Sequence, residues 1–160
     1  MSTEDAALPM APRLGGPPPH LLLVRAPYYR DVVDGLSNGA ERILREAGAS
    51  FETLDVAGAF ELPQAIRIAV RATTRFDGFV ALGCIVRGET DHYEHICRET
   101  MAGMMAVALQ FGLALGTGLL TVDRLDQALA RSGQDGHNKG AEAAVAALLQ
   151  IAAGRRLSAP

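Results

Sequence analysis

Tryptophan is absent from this 160-residue chain, cysteine occurs twice, and aromatic residues make up only 5% of it. Cys84 and Cys97 stand outside any C-x-x-C pair, which argues against a disulfide framework or a zinc ribbon and leaves two reduced, packed thiols. No apolar run reaches the ~18 residues that cross a bilayer. The opening stretch MSTEDAALPMAPRLGG also lacks the basic-then-apolar order of a secretory leader. A cytoplasmic protein without a membrane partner is therefore expected. Positive charge is in short supply too: 15 Lys and Arg face 18 Asp and Glu, for a net charge of -3. The one dense basic spot is Arg155 with Arg156, so the basic stripe of a nucleic-acid-binding surface is missing and no nucleic-acid partner is expected. With so few rings, the position of each Tyr and Phe carries information.

What the chain does have is apolar content, 49% of its residues, enough to fill the single core expected at this length. Residues 1–19, rich in Pro, Ala and Gly and ending in GGPPP, resist helix and central strand and read as a flexible arm. A domain over 20–154 and a C-terminal tail over 155–160, holding Arg155 and Arg156, complete the organisation. Within the domain, short apolar runs at 20–25, 50–56, 78–86 and 113–123 read as strands. Between and after them, 30–47, 62–73, 94–112, 124–132 and 139–153 read as helices. Gly48 is placed to stop the first helix, Pro63 suits the first turn of the second, and Met101, Met104 and Met105 read as packing at helical spacing.

Parallel strands need crossover helices to return the chain, so this alternation predicts an α/β fold: a three-layer α/β/α sandwich around a four-stranded parallel sheet. Ligands of such sheets bind beyond the C-terminal strand ends. The segments to examine are therefore RAPYY, AGAFELP, GCIVRGETDHYE and GTGLLTVD.

After the third strand, RGET turns the chain and DHYEH enters a helix. The N–H groups of Gly88, Glu89 and Thr90, with the Thr90 hydroxyl, form a candidate anion cradle; equally, Thr90 is suited to be a plain N-cap. His92 falls in the first helical turn, where an imidazole can take and give protons near neutrality, or be an ordinary surface residue, as can His95. Asp91, His92, Glu94 and His95 lack metal-site spacing, and no metal is expected. Arg131 and Lys139 flank the turn SGQDGHNKG. They suit phosphate binding, or a helix C-terminal cation and a solvated loop lysine. Tyr28 and Phe60, just past strand ends, suit stacking on a flat heterocycle or capping the core.

Together GAFELP, ALGCIVRGETDHYEH, GLLTVDRLDQALARSG and GHNKGAEAA resemble, in order and spacing, the motifs of the lumazine synthase family, over residues 20–151. The resemblance implies a flavodoxin-like sandwich assembled as homopentamers or multiples of pentamers, with active sites between subunits. It implies two small-molecule substrates and no cofactor: 5-amino-6-(D-ribitylamino)uracil condenses with 3,4-dihydroxy-2-butanone 4-phosphate in riboflavin biosynthesis. By the same resemblance Tyr28 stacks on the pyrimidine, Ala59, Phe60 and Glu61 contact the ribityl-uracil, and Cys84, Ile85 and Val86 line its pocket. Glu89 and Thr90 form the phosphate turn and His92 transfers protons. Arg131 grips phosphate with Lys139 nearby, and both come, with Thr117, from the adjacent subunit.

Three positions depart from the family pattern: Pro27 in place of a basic residue, Ala57 in place of proline, and Thr117 in place of a bulky aromatic. A threonine cannot stack on a ring, which points to modest substrate affinity. It also sets out a competing reading, a non-catalytic flavin- or lumazine-binding or container paralogue. The short turn before the last helix fits relatives that build sixty-subunit shells. The prolines at 17–19 oppose adding an N-terminal strand to a neighbour's sheet, and so favour a pentamer.

Overall fold

Strand β1 (His20–Ala26) shows why the sheet is closed on both faces: of its seven residues only the first and the penultimate are not fully buried. A computed structural model describes residues 8–134 and 137–158, so part of the expected arm, the centre of the 133–138 turn and the last two residues lie outside the described residues. The elements that follow are α1 (Arg30–Glu46), β2 (Ser50–Asp55), a 3-10 turn (Ala59–Glu61), α2 (Leu62–Ala72) and β3 (Gly78–Val86). They continue with α3 (His92–Phe111), β4 (Leu115–Val122), α4 (Leu125–Ser132) and α5 (Lys139–Ser158). The four strands form one sheet in the order β2-β1-β3-β4, every neighbouring pair parallel.

Successive side chains of a strand leave by opposite faces, and β1 and β3 use both. Leu21, Leu23, Val80 and Leu82 enter one core layer with Leu36, Ile43 and Leu148 of α1 and α5. Leu22, Val24, Phe79 and Ala81 enter the other with Ile66 of α2 and Met104 and Val107 of α3. Each fully buried Leu or Ile contributes about 1.5–3 kcal/mol relative to exposure, which explains the unbroken apolar run of β3. At the edges the pattern changes. β4 alternates buried and open residues, and β2 has none buried.

The two edges also differ in their backbone. The Gln150 side-chain amide of α5 donates to the Leu115 carbonyl at 2.9 Å and accepts from the Leu115 N–H at 3.4 Å. Further along β4, the Thr117 hydroxyl accepts the Leu119 N–H at 3.3 Å. Among the described residues no side chain does this for β2.

Several boundaries move for identifiable reasons. Helix α3 begins at His92 rather than Glu94, because Asp91 takes the N-cap position and its carbonyl accepts the N–H groups of Glu94 and His95; Thr90 is therefore not the cap. The same helix ends on Gly112 at φ +62°, as α1 ends before Gly48 at φ +72°, the left-handed conformation that glycine adopts most easily. Helix α5 runs through Gly154 to Ser158, so Arg155 and Arg156 belong to its last turn and not to a tail. The Arg155 guanidinium donates to the Gly15 carbonyl at 2.7 Å. Residues 8–19 are irregular, and Ala11 and Leu14 pack against the core. Of the three methionines read as packing, only Met104 is buried; Met101 and Met105 are 43% and 61% exposed.

Candidate active site

The chain runs from β1 to β2 on one side and then returns to place β3 on the other side of β1. Loops that leave neighbouring strands in opposite directions open a crevice between them. A cavity of about 580 Å³ occupies that crevice. The β1 end contributes Tyr28 and Tyr29, and the segment after β2 contributes Ala57, Gly58, Ala59, Phe60 and Glu61. The β3 end supplies Cys84, Ile85 and Val86; the turn into α3 supplies Gly88 and Thr90; and the first turns of α3 supply His92, Tyr93 and Ile96.

The walls are apolar with a few polar points, the usual make-up of a site for a flat organic ligand. Tyr28 is 76% and Phe60 46% exposed, two rings at the rim with open faces. Tyr28 meets Tyr29 edge to face at 5.1 Å. Burial raises the Tyr29 phenol above its usual range, with the Tyr28 and Cys84 charges adding to the effect. Burial likewise raises the Tyr93 phenol, with the Cys97 charge adding to the effect. Both phenols therefore stay neutral donors in the physiological range. Burial pushes the Cys84 thiol up to about 11, so this sulfur is part of the wall and not a nucleophile at neutral pH.

The turn from β3 into α3 is held from outside the cavity. Arg87 donates to Asp123 at 2.8 Å and Glu94 at 3.4 Å, and its guanidinium lies 4.3 Å from the Tyr93 ring centre. This clamp ties the turn to the end of β4 and faces Thr90 and His92, both exposed, onto the cavity. His95, one turn on, leaves the cavity and pairs with Arg98 at 3.1 Å.

Four residues named from the sequence do not line this cavity within one chain. Glu89 sits exposed on the turn beside it. Thr117 lines a different apolar groove of about 350 Å³ with Met101, Met104, Met105 and Leu109. Arg131, in the last turn of α4, donates to the Gln127 carbonyl at 2.8 Å. Lys139, at the start of α5, is paired with Glu142 at 2.7 Å. Conversely, Tyr29, Gly58, Tyr93 and Ile96 line the cavity without having been singled out. Ile96 follows His92 by four residues, and that helical spacing is a signal that could have found it. Tyr29 was visible only as the neighbour of Tyr28.

No lysine or arginine is among the described residues that line the cavity. A phosphate at Thr90 would meet backbone N–H groups and a hydroxyl, with no cation from the same chain. Nor do three His, Cys, Asp or Glu side chains converge anywhere among the described residues.

Comparison with known proteins connects this geometry to a family. The 6,7-dimethyl-8-ribityllumazine synthase model matches residues 18–154. A protein of that name from Bartonella tribocorum is 44% identical over 138 residues, covering 86% of this chain and 91% of its own. One from Sphingopyxis alaskensis is 46% identical over 133 residues, covering 83% and 93%. 6,7-Dimethyl-8-ribityllumazine synthase 1 of Rhizobium meliloti is 41% identical over 146 residues, covering 89% and 95%. A match this complete, over a parallel sheet with its cavity at the switch point, makes the chain a member of the 6,7-dimethyl-8-ribityllumazine synthase family.

Proposed function

We propose that the chain catalyses the condensation of 5-amino-6-(D-ribitylamino)uracil with 3,4-dihydroxy-2-butanone 4-phosphate, releasing phosphate and water, in riboflavin biosynthesis. The observation that carries the reading is the gathering of Tyr28, Phe60, Glu61, Thr90 and His92 around one cavity in a chain of this family. Tyr28 and Phe60 offer open ring faces to the pyrimidine, and Ala59 and Glu61 meet its ribityl chain. Cys84, Ile85 and Val86 form the wall behind it. The turn at Glu89 and Thr90 receives the phosphate of the second substrate.

The pyrimidine amine adds to the ketone carbonyl, and loss of water gives an imine. Loss of the proton on the adjacent carbinol carbon then expels phosphate and leaves an enol, which tautomerises to a new ketone; the second nitrogen adds to that carbonyl and closes the ring with loss of water. His92, facing the cavity beside Thr90, moves protons on and off the oxygen and nitrogen atoms that change charge in these steps. Holding both reactants at contact distance removes most of the entropy cost of their meeting, so positioning supplies the larger share of the acceleration.

Arg131, Lys139 and Thr117 act in the cavity of a neighbouring subunit of a cytoplasmic homopentamer. The absence of any cation among the described lining residues supports this, since a bound phosphate dianion calls for one. The exposed apolar side chains Met101, Met105 and Leu109 beside Thr117 support a covering subunit as well.

The test is to mix the purified protein with both substrates while following lumazine absorbance and phosphate release. Appearance of both supports the reading. Binding of the pyrimidine without turnover would instead favour a non-catalytic paralogue.

A further inference from the structure

Asn138 is 3% exposed, yet its amide makes hydrogen bonds on both sides. The two N–H bonds of the NH2 group are shared among three carbonyls, those of Gly35 at 2.8 Å, Ser132 at 2.9 Å and Gly133 at 3.0 Å. The amide oxygen accepts the N–H groups of Gly140 at 2.8 Å and Ala141 at 3.1 Å. Ser132 and Gly133 carry carbonyls at the C-terminal end of α4, and Gly140 and Ala141 carry the first free N–H groups of α5. One side chain thus caps two helices, satisfying groups that each helix leaves unpaired. Its third tie, to Gly35, anchors the corner to α1, whose Leu36, Ala40 and Ile43 are fully buried.

The residue just before Ser132 is Arg131, and the residue just after Asn138 is Lys139. We propose that Asn138 is a positioning residue for the phosphate half of the active site, fixing where Arg131 and Lys139 stand relative to each other and to α1. The proposal rests on the reading of those two cations as phosphate-binding groups. Space for the amide is built into the helices: a Cβ on Gly39 would overlap the Asn138 side chain, and one on Gly35 would overlap the Ser132 carbonyl. Only a primary amide has donors and an acceptor placed for both tasks. Serine would keep the α5 cap and lose the ties to α4 and α1; aspartate would set a carboxylate against three carbonyl oxygens.

The experiment is steady-state kinetics of Asn138→Ser and Asn138→Asp beside Arg131→Ala as reference, with light scattering to record the assembly mass. Displaced cations raise KM for the phosphorylated ketone about tenfold and weaken inhibition by inorganic phosphate in proportion. KM for the pyrimidine changes less than about twofold, and the assembly mass is unchanged. A purely structural residue would lower the melting temperature and the active fraction while leaving both KM values at the parent level, and that result overturns the proposal. If Arg131→Ala itself leaves the ketone KM unchanged, the phosphate reading of Arg131 has failed, and the positioning role falls with it. Should both Asn138 variants fail to fold, Gly39→Ala presses on the same amide from α1. A raised ketone KM in that variant supports the proposal and an unchanged one overturns it.

Discussion

The cavity at the ends of β2, β1 and β3 and the corner between α4 and α5 make an unequal pair. The cavity offers open rings, a turn of backbone N–H groups and an imidazole, but none of its described lining residues is a cation. The corner holds two cations, one on the Gln127 carbonyl and one on Glu142, and neither lines that cavity. Each region has what the other lacks. A phosphate ester needs both, and the contrast is the physical argument behind the proposed site between two copies of the chain.

The most severe way to break that contrast is Arg131→Ala. Loss of the proposed guanidinium–phosphate contact is expected to lower kcat/KM for the phosphorylated ketone by ~10³-fold, measured by steady-state kinetics with the pyrimidine saturating. Reassembling Arg131→Ala subunits with His92→Ala subunits sharpens the test: partial recovery of activity requires the two residues to act from different chains, and no recovery contradicts the shared site. His92→Ala alone is expected to slow turnover by ~10²-fold without abolishing it. Complete loss in single-turnover assays would rank proton transfer above positioning. Tyr28→Ala removes one open ring, and a rise of about five- to tenfold in pyrimidine KM is the expected result; an unchanged KM would move the stacking role to Phe60 or Tyr29.

Smallest of all is Cys84→Ala, for which kcat should stay within about twofold of the parent, since a neutral thiol in a wall does no chemistry. Its pH dependence has a definite sign. The folded thiol titrates at about 11 and the free thiol at 9.0, so below pH 9 the neutral thiol favours the folded chain. That contribution is lost as pH rises from 9 through 11, because the unfolded chain ionises first. Urea midpoints of the parent should accordingly fall relative to Cys84→Ala between pH 9 and 10.5.

Much of this arrangement was legible in the sequence. Alternating apolar runs and amphipathic stretches marked every strand and helix, because burial on both sheet faces leaves no choice of residue in β1 and β3. The segments chosen for standing at strand ends did converge: RAPYY, AGAFELP and GCIVRGETDHYE supply every described lining residue of the cavity except Ile96. GTGLLTVD did not join them, since β4 is the far edge strand and its end lies outside the crevice. The exposure of Met101 and Met105 was not legible either: their spacing is the same for a side chain facing the core and for one facing outward. Asn138 was not singled out, because its five partners come from three separate elements.

The two margins of the sheet are not equivalent, and this bears on how chains join. Endless ribbons form when every protomer presents a receptive strand on each side. Here the α5 glutamine takes the backbone groups of Leu115 at the start of the β4 margin, and among the described residues no side chain does the same along β2. A strand laid along β4 would have to displace the α5 glutamine from its first residue, whereas one laid along β2 would meet no such competitor among the described residues.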